Sequence, residues 1–368
     1  MEIYRTAYLE AYQQEIVFTP FLSTFFVTKP SYIRNARTVK IDIKRNEKHV
    51  APVISSAYGR AGKIQKKDYT GKEFEPPIVA LASVFDASEY DGKVFGMDEY
   101  KSAEVEYIVA LQNDIMDVMS EIEARINRTI EWQASQVFNH SNEDIILYDE
   151  NNEAAFVINY KGKDAHFPDV SVSWSDENSD PDTDIKNLSG IIQRNGHSSI
   201  KNLVFGENAL TNYLKNTKIQ DKFDIRRIES GTFDPREENE DVTYLGNLLV
   251  GSRRYDCWEY SGEFIHPETG DPTPYVDPDK VLFLPAMGSR NVDFRLVYCR
   301  VFSITKNDPR FTSLVPTGFV NLGNRAYTSR LWTDEGADNL NIELKTRPLC
   351  IPVSIDTFGA LNTVAPTP

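Results

Sequence analysis

Three cysteines in 368 residues, Cys257, Cys299 and Cys350, lie far apart and form no C-x-x-C pair, so neither a disulfide framework nor a zinc knuckle is expected. They read as small buried hydrophobes. The five histidines (His49, His140, His166, His197 and His266) are equally scattered, none in H-E-x-x-H or a comparable ligand spacing, and no metal or other cofactor is expected. No run of about 18 apolar residues occurs, and Glu2 stands where a signal peptide would want a basic start; the expectation is a soluble protein made in the cytoplasm. A nucleophile elbow, G-x-S-x-G, is missing too. Its nearest imitation, Gly196-His197-Ser198-Ser199, reads as a loop histidine beside a strand. Neither a G-x-x-x-x-G-K-S/T nor a G-x-G-x-x-G phosphate loop appears, so enzyme readings are left without a motif.

What is present describes a folded, acidic chain. Its length suits two or three compact units, and with 40% apolar and 11% aromatic residues it can bury a substantial core. The formal net charge is −15, which argues against DNA or an anionic membrane as a tightly bound ligand, because neutralising phosphates takes clustered Lys and Arg. The charge is uneven. From Arg34 to Lys72 eleven basic residues face only Asp42, Glu47 and Asp68, a net of +8 that leaves −23 elsewhere. A basic limb on an acidic body is what a self-associating subunit would lay across its neighbour; a solvated face is the plainer alternative.

Along the chain, residues 1–32 mix short apolar clusters and aromatic pairs with Pro20 and Pro30, which rule out one long helix and suit an arm. The strict alternation from Thr38 to Arg45 predicts a strand with one wet face, and the turn-rich patch at 55–62 followed by 63–69 predicts a long hairpin. From Ser102 to Phe138, Ile108, Leu111, Ile115, Met119, Ile122, Ile126 and Ile130 recur at three- and four-residue steps without Pro or Gly, which predicts a rod of roughly 50 Å packing its stripe inside its own subunit. Beyond it the sequence predicts a hairpin across 144–160, a strand at Val170–Trp174, a short helix near Ile185–Ile192 closed by Gly196, and a strand at Asn202–Phe205 feeding a helix at Glu207–Leu214. Short strands follow through Phe283, and a last one runs from Leu344 to Val353. Asp176, Glu177, Asp180, Asp182 and Asp184 alternate like hard oxygen ligands, yet the run lacks the Gly and Glu of an EF-hand loop and reads as a solvated acidic loop.

The ordering of arm, basic hairpin, long helix, embedded α+β unit and closing strand resembles the lambda-type major capsid proteins of tailed bacteriophages, the capsid protein E family with the Hong Kong 97-type fold. Four places carry the resemblance. They are Tyr4-Arg5-Thr6-Ala7 with Phe18-Thr19-Pro20-Phe21-Leu22 and Phe25-Phe26; Asp180-Pro181-Asp182-Thr183-Asp184-Ile185; the stretch from Asn202 to Gly206 through Asp224-Ile225-Arg226-Arg227; and Thr346-Arg347-Pro348 to Val353 with Asp356-Thr357-Phe358. The spans Glu229–Asp241 and His266–Pro274 depart from the family's pattern.

The resemblance implies an α+β fold divided into an N-terminal arm (1–33), an extended E-loop (34–90), a P-domain (91–198) with a spine helix at 102–138, an A-domain (199–325) and a return to the P-domain (326–368). It implies a non-enzymatic major capsid protein that self-assembles through hexameric and pentameric capsomers into an icosahedral shell, enclosing double-stranded DNA without specific binding. A scaffolding protein, a portal protein and, in the lambda-type branch, a decoration protein are the implied partners; a match that begins at the arm implies that the scaffold is a separate chain. The expected intersubunit contacts lie on the E-loop, at Lys44, Arg45, Arg60, Lys63, Lys66 and Lys67. Some capsids of this fold cross-link Lys to Asn, but no carboxylate base can be placed beside these amines, and a decoration protein serves the lambda-type branch instead. A nanocompartment shell subunit or a tail component is the second reading.

Overall fold

The computed structural model describes residues 20–33, 36–41, 72–86, 103–148, 154–224, 231–286, 288–289, 291–301, 319–322, 325–334 and 339–366. The alternation after Thr38 produces β1 (Val39–Ile41), which pairs antiparallel with β2 (Lys72–Phe74), Val39 opposite Phe74 and Ile41 opposite Lys72. This is the base of the expected hairpin; residues 42–71 lie outside the described residues. An edge strand, β3 (Val79–Asp86), follows.

Helix α1 spans Ala103–His140, about 57 Å at 1.5 Å per residue. It ends where the Ser141 hydroxyl turns back onto the Val137 carbonyl and the Glu143 amide closes on the His140 carbonyl at 2.9 Å. Its apolar stripe is buried from Ile122 onward, through Ile126, Ile130, Ala134, Val137 and Phe138. Ile115 and Met119 are only half-buried and Met116 is 70% exposed. Within the expected stripe Ile115 and Met119 are thus covered only in part by their own subunit; the side chains of Ile108 and Leu111 lie outside the described ones.

After α1 come the hairpin β4 (Ile145–Tyr148) and β5 (Ala154–Ile158), then α2 (Pro181–Gly196). Asp180 caps α2 by accepting from the Thr183 amide at 3.2 Å, with Pro181 in the first turn, where a missing N–H costs nothing. The residue that closes α2 is not Gly196 but His197, in the left-handed region at φ 54°. Gly196 serves a close approach instead: a Cβ there would fall 2.2 Å from the Asp356 carbonyl oxygen.

The embedded unit follows: β6 (Ile200–Phe205), α3 (Glu207–Lys215), α4 (Thr217–Asp224), β7 (Gly231–Asn239), β8 (Val242–Val250) and β9 (Arg253–Tyr260). A small hairpin, β10 (Glu263–Ile265) and β11 (Pro272–Pro274), leads to β12 (Lys280–Pro285) and β13 (Phe294–Tyr298). The chain closes with β14 (Phe319–Leu322), β15 (Arg325–Asp334), β16 (Asn339–Thr346), β17 (Pro348–Pro352) and β18 (Gly359–Asn362).

These strands build a six-stranded sheet in the order β18-β12-β6-β9-β8-β7, of which β6–β9 is the parallel pair, and a four-stranded antiparallel sheet in the order β14-β15-β16-β3. The central sheet divides two cores by its side-chain period of two. Leu203, Phe205, Val281, Phe283 and Leu361 join Ile185, Leu188 and Tyr213 of the helices on one side. Val204, Leu282, Leu284 and Ala360 join Ile126, Ile130 and Phe138 of α1 on the other. Burial on both faces is why residues 203–205 of β6 and 281–284 of β12 read as continuous apolar runs.

Two expected strands differ. Val170–Trp174 forms bends, its Val170 and Trp174 amides donating singly to the Asn362 and Thr363 carbonyls at 3.1 and 3.0 Å. The run Leu344–Val353 is split at Arg347: β16 joins β15 and β3, whereas β17 pairs with β13.

Candidate assembly interface

The expected contact residues Lys44, Arg45, Arg60, Lys63, Lys66 and Lys67 all lie outside the described residues. What is described is the root from which they spring. Glu75, just past β2, meets Arg37 Nε at 2.5 Å and the nearly buried Arg347 Nη1 at 3.3 Å, and Arg347 also donates to the Arg37 carbonyl at 3.4 Å. Across the base, the Thr38 hydroxyl donates to Glu73 at 2.5 Å. Because Arg347 sits between β16 and β17, one guanidinium fixes the hairpin root to the junction of two sheets. A planar fork of five donors suits that task better than a lysine would. Nothing local in Glu343-Leu344-Lys345-Thr346-Arg347-Pro348 singles out Arg347 for this role.

The N-terminal segment is held by a second buried charge. Residues 22–25 form a single 3-10 turn, whose free amides have no partner within the turn. Glu131 of α1, with no solvent exposure, supplies one: its carboxylate accepts from the Phe21, Leu22 and Ser23 amides at 3.0, 2.5 and 2.9 Å, and from the Tyr260 hydroxyl at 3.2 Å. Burial pushes the Glu131 carboxyl above its ordinary range, against the downward pull of the amide donors. Beside it, Phe25 and Phe26 pack on Phe138 with ring centroids 6.0 and 5.3 Å apart. Val27 then exchanges backbone bonds with β13, its amide donating to the Phe294 carbonyl at 3.0 Å and its carbonyl accepting from Leu296 at 3.2 Å. Phe21, Phe25 and Phe26 thus pack against the body of the subunit.

The acidic run resolves into local duties. Asp180 caps α2, Asp182 accepts from the Tyr213 hydroxyl at 3.1 Å, Asp184 from the Trp174 indole at 3.1 Å, and Asp176 from the Asn178 amide at 2.8 Å. Among the described residues no group of His, Cys, Asp and Glu is placed to hold a metal ion. The cysteines are all free and buried, and burial drives the Cys257 and Cys350 thiols well above their ordinary range, away from reactivity. His197 is a helix cap, not a catalytic base.

The sequence profile of the family described as phage major capsid protein E matches residues 6–361. The chain belongs to this family. It is a structural major capsid protein rather than an enzyme, and its place is the virion capsid. Among solved structures, a prophage protein of Escherichia coli CFT073 described as a capsid protein is 15% identical, with a TM-score of 0.55 over 97% of this chain and 98% of that one. That likeness is one of fold, the Hong Kong 97 capsid type. A phage-related protein of Bordetella bronchiseptica RB50 is 9% identical at a TM-score of 0.49, covering 94% of this chain and 93% of that one. An encapsulin complex from Synechococcus elongatus PCC 7942 is 8% identical at 0.43, covering 90% and 84%. No curated protein matches the sequence. No helix of the described residues is long and apolar enough to cross a membrane.

Proposed function

We propose that this capsid protein assembles as hexamers and pentamers into an icosahedral shell, with a scaffolding protein, a portal and a decoration protein as partners, and that it surrounds double-stranded DNA without gripping it. The division into arm (1–33), E-loop (34–90), P-domain (91–198), A-domain (199–325) and returning segment (326–368) belongs to the same proposal, with β18 of the returning segment completing the six-stranded sheet. The family match over 6–361 carries the reading and favours it over the nanocompartment and tail alternatives. The rooted hairpin supports it mechanically: the chain between Ile41 and Lys72 leaves from a clamped base and carries the basic residues.

In this reading Lys44, Arg45, Arg60, Lys63, Lys66 and Lys67 contact a neighbouring subunit. Each exposed ion pair contributes only about 0.2–1 kcal/mol, and repetition over many contacts makes them count. Replacing residues 44–67 by a short Gly/Ser linker tests it. The expected product melts cooperatively, as monomer or capsomer, and never closes into shells under negative-stain microscopy. Normal shells from that variant, or an unfolded subunit, would remove the hairpin from the interface.

A further inference from the structure

The N-terminal segment and the root of the β1–β2 hairpin rest on one support. β13 pairs with β17 in a two-stranded ribbon, Phe294 opposite Pro352 and Tyr298 opposite Pro348. The N-terminal segment lies parallel along the other edge of β13, where Val27 bridges Arg295 and Ile33 bridges Tyr298. Between those two points the 3-10 turn Pro30–Tyr32 interrupts the pairing and sets the Tyr32 ring against the Arg295 guanidinium at 5.2 Å. Past the end of β13 the ladder gives way to single bonds. The Cys299 amide donates to the Arg347 carbonyl at 3.0 Å, and the Arg300 amide to the Ala36 carbonyl at 3.2 Å. Arg347 therefore has its backbone on the ribbon and its side chain on the hairpin root, through Glu75 at 3.3 Å and the Arg37 carbonyl at 3.4 Å.

A two-stranded ribbon is marginal by itself, and bonds made at isolated points open more readily than a continuous ladder. Loosening the segment at Val27 frees one edge of β13, and the far end of β13 then holds the Arg347 backbone less firmly. The planar guanidinium fixes its partners in direction as well as in distance, so a shift of its backbone is passed to Glu75 and Arg37. β1 is close to Ile33 along the chain, but β2 and Glu75 are remote from it in sequence and meet the ribbon through Arg347. We propose that Arg347 is a positioning residue that ties the setting of the hairpin root to the seating of the N-terminal segment on β13, so that the two open and close as one unit. Val39 is buried and Phe74 meets Phe156 at 6.5 Å, so the root stays attached to the body when the tie is cut; the tie governs how often it opens. The use of this coupling in assembly rests on the proposed function: a neighbour that steadies the N-terminal segment also steadies the hairpin.

Amide hydrogen exchange on the unassembled full-length chain tests the tie. Val27→Pro, at a 45% exposed position, removes the amide that donates to the Phe294 carbonyl. The amides of Lys72–Phe74 should then exchange at least about fivefold faster, the lower end of ordinary coupling, while those of β8 and β9, in the other core, keep their rates. In an Arg347→Met chain the same Val27→Pro should change Lys72–Phe74 by less than about twofold, the scatter of independent sites. Linkage demands the reverse effect as well: Glu75→Ala should speed exchange at the N-terminal segment by a similar factor. Tyr32 is half-buried and Glu75 exposed, so Tyr32→Ala and Glu75→Ala take the place of Val27→Pro and Arg347→Met should either of those unfold the subunit. Three outcomes overturn the proposal. An unchanged rate at Lys72–Phe74 means that root and segment open independently. The same acceleration in the Arg347→Met chain means that the link runs by another path, and an equal acceleration of β8 and β9 means that the subunit is merely destabilised. Shell formation is read separately: failure to form shells removes the use of the coupling and leaves the coupling itself, whereas normal shells without the exchange effect remove the role of Arg347 alone.

Discussion

Two stretches of α1, residues 114–121 and 122–138, share one apolar spacing and differ in how deeply it is buried. From Ile122 to Phe138 the apolar stripe is sealed beneath the central sheet, the arm's aromatics and β17. Between Asp114 and Glu121 the same three- and four-residue spacing leaves Ile115 half-buried and Met116 on the surface. Periodicity reports which face of a helix is apolar; it does not report which molecule covers that face. An exposed continuation of a core stripe is expected in a subunit whose final neighbours are other subunits, since apolar surface left bare by the fold is available to assembly.

The largest effect expected on that comparison comes from the sealed half. Ile126→Asp places an unpaired carboxylate where no solvent reaches, at a cost of several kcal/mol, against a net stability of about 5–15 kcal/mol. The variant should show no cooperative transition in circular dichroism melting. Ile115→Asp, on the half-covered side, should still fold, with a loss of about 1 kcal/mol or less. Equal loss from the two substitutions would mean that the outer half is packed as tightly as the inner, and the comparison would break.

Glu131 lies in the sealed half and sets the next effect. Glu131→Ala leaves three amides and the Tyr260 hydroxyl without their acceptor, a loss of about 2–5 kcal/mol, read as a lower urea midpoint and faster proteolysis near residue 20. The pH dependence has a definite sign. Burial raises the Glu131 carboxyl in the folded state above its value of 4.5, so the folded chain binds that proton more tightly than the unfolded one does. Its contribution is complete below pH 4.5 and is lost as the pH climbs through the raised value. The stability advantage of the native chain over Glu131→Gln should therefore shrink as the pH rises from 4.5 toward neutrality; a widening gap would show that the amide donors outweigh the burial.

Local pattern made much of this fold legible. The long helix, the strand after Thr38, the middle of α2 and the β6–α3 step follow from spacing and turn residues, which act within a few residues; the first turn of α2, capped by Asp180, lies inside the acidic run that reads as a loop. The misread pieces depend on distant partners. Val170, Val172 and Trp174 alternate as a strand should, but the carbonyls of Asn362 and Thr363 offer them two isolated bonds rather than a ladder. α4, eight mostly polar residues, carries too little apolar pattern to stand out. Glu131 reaches amides more than a hundred residues away, and Arg347 reaches the hairpin root from the far end of the chain. Glu131, the one charge within residues 129–140, is a signal that the sequence did hold; Arg347, two residues from Lys345, had none.

The smallest effect on the subunit is also the one that isolates assembly. Met116 is 70% exposed, and Met116→Asp should change the subunit's stability by no more than about 0.5 kcal/mol, the ordinary range for a surface substitution. Its melting curve should overlay that of the unsubstituted chain. In the shell the outcome differs if the outer half of α1 is covered there: a carboxylate would then be carried into an apolar contact, and repetition in every subunit would multiply a small local penalty into a higher concentration threshold for assembly. Light scattering against protein concentration would read that threshold, with the Ile115→Asp variant for comparison, Met116 lying one residue off the Ile115 stripe. A threshold that moves for Ile115→Asp and not for Met116→Asp would place the covered contact on the Ile115 side of the helix. No movement for either would leave the outer half of α1 bare in the assembled state, and the exposed stripe would then need a partner other than a second subunit.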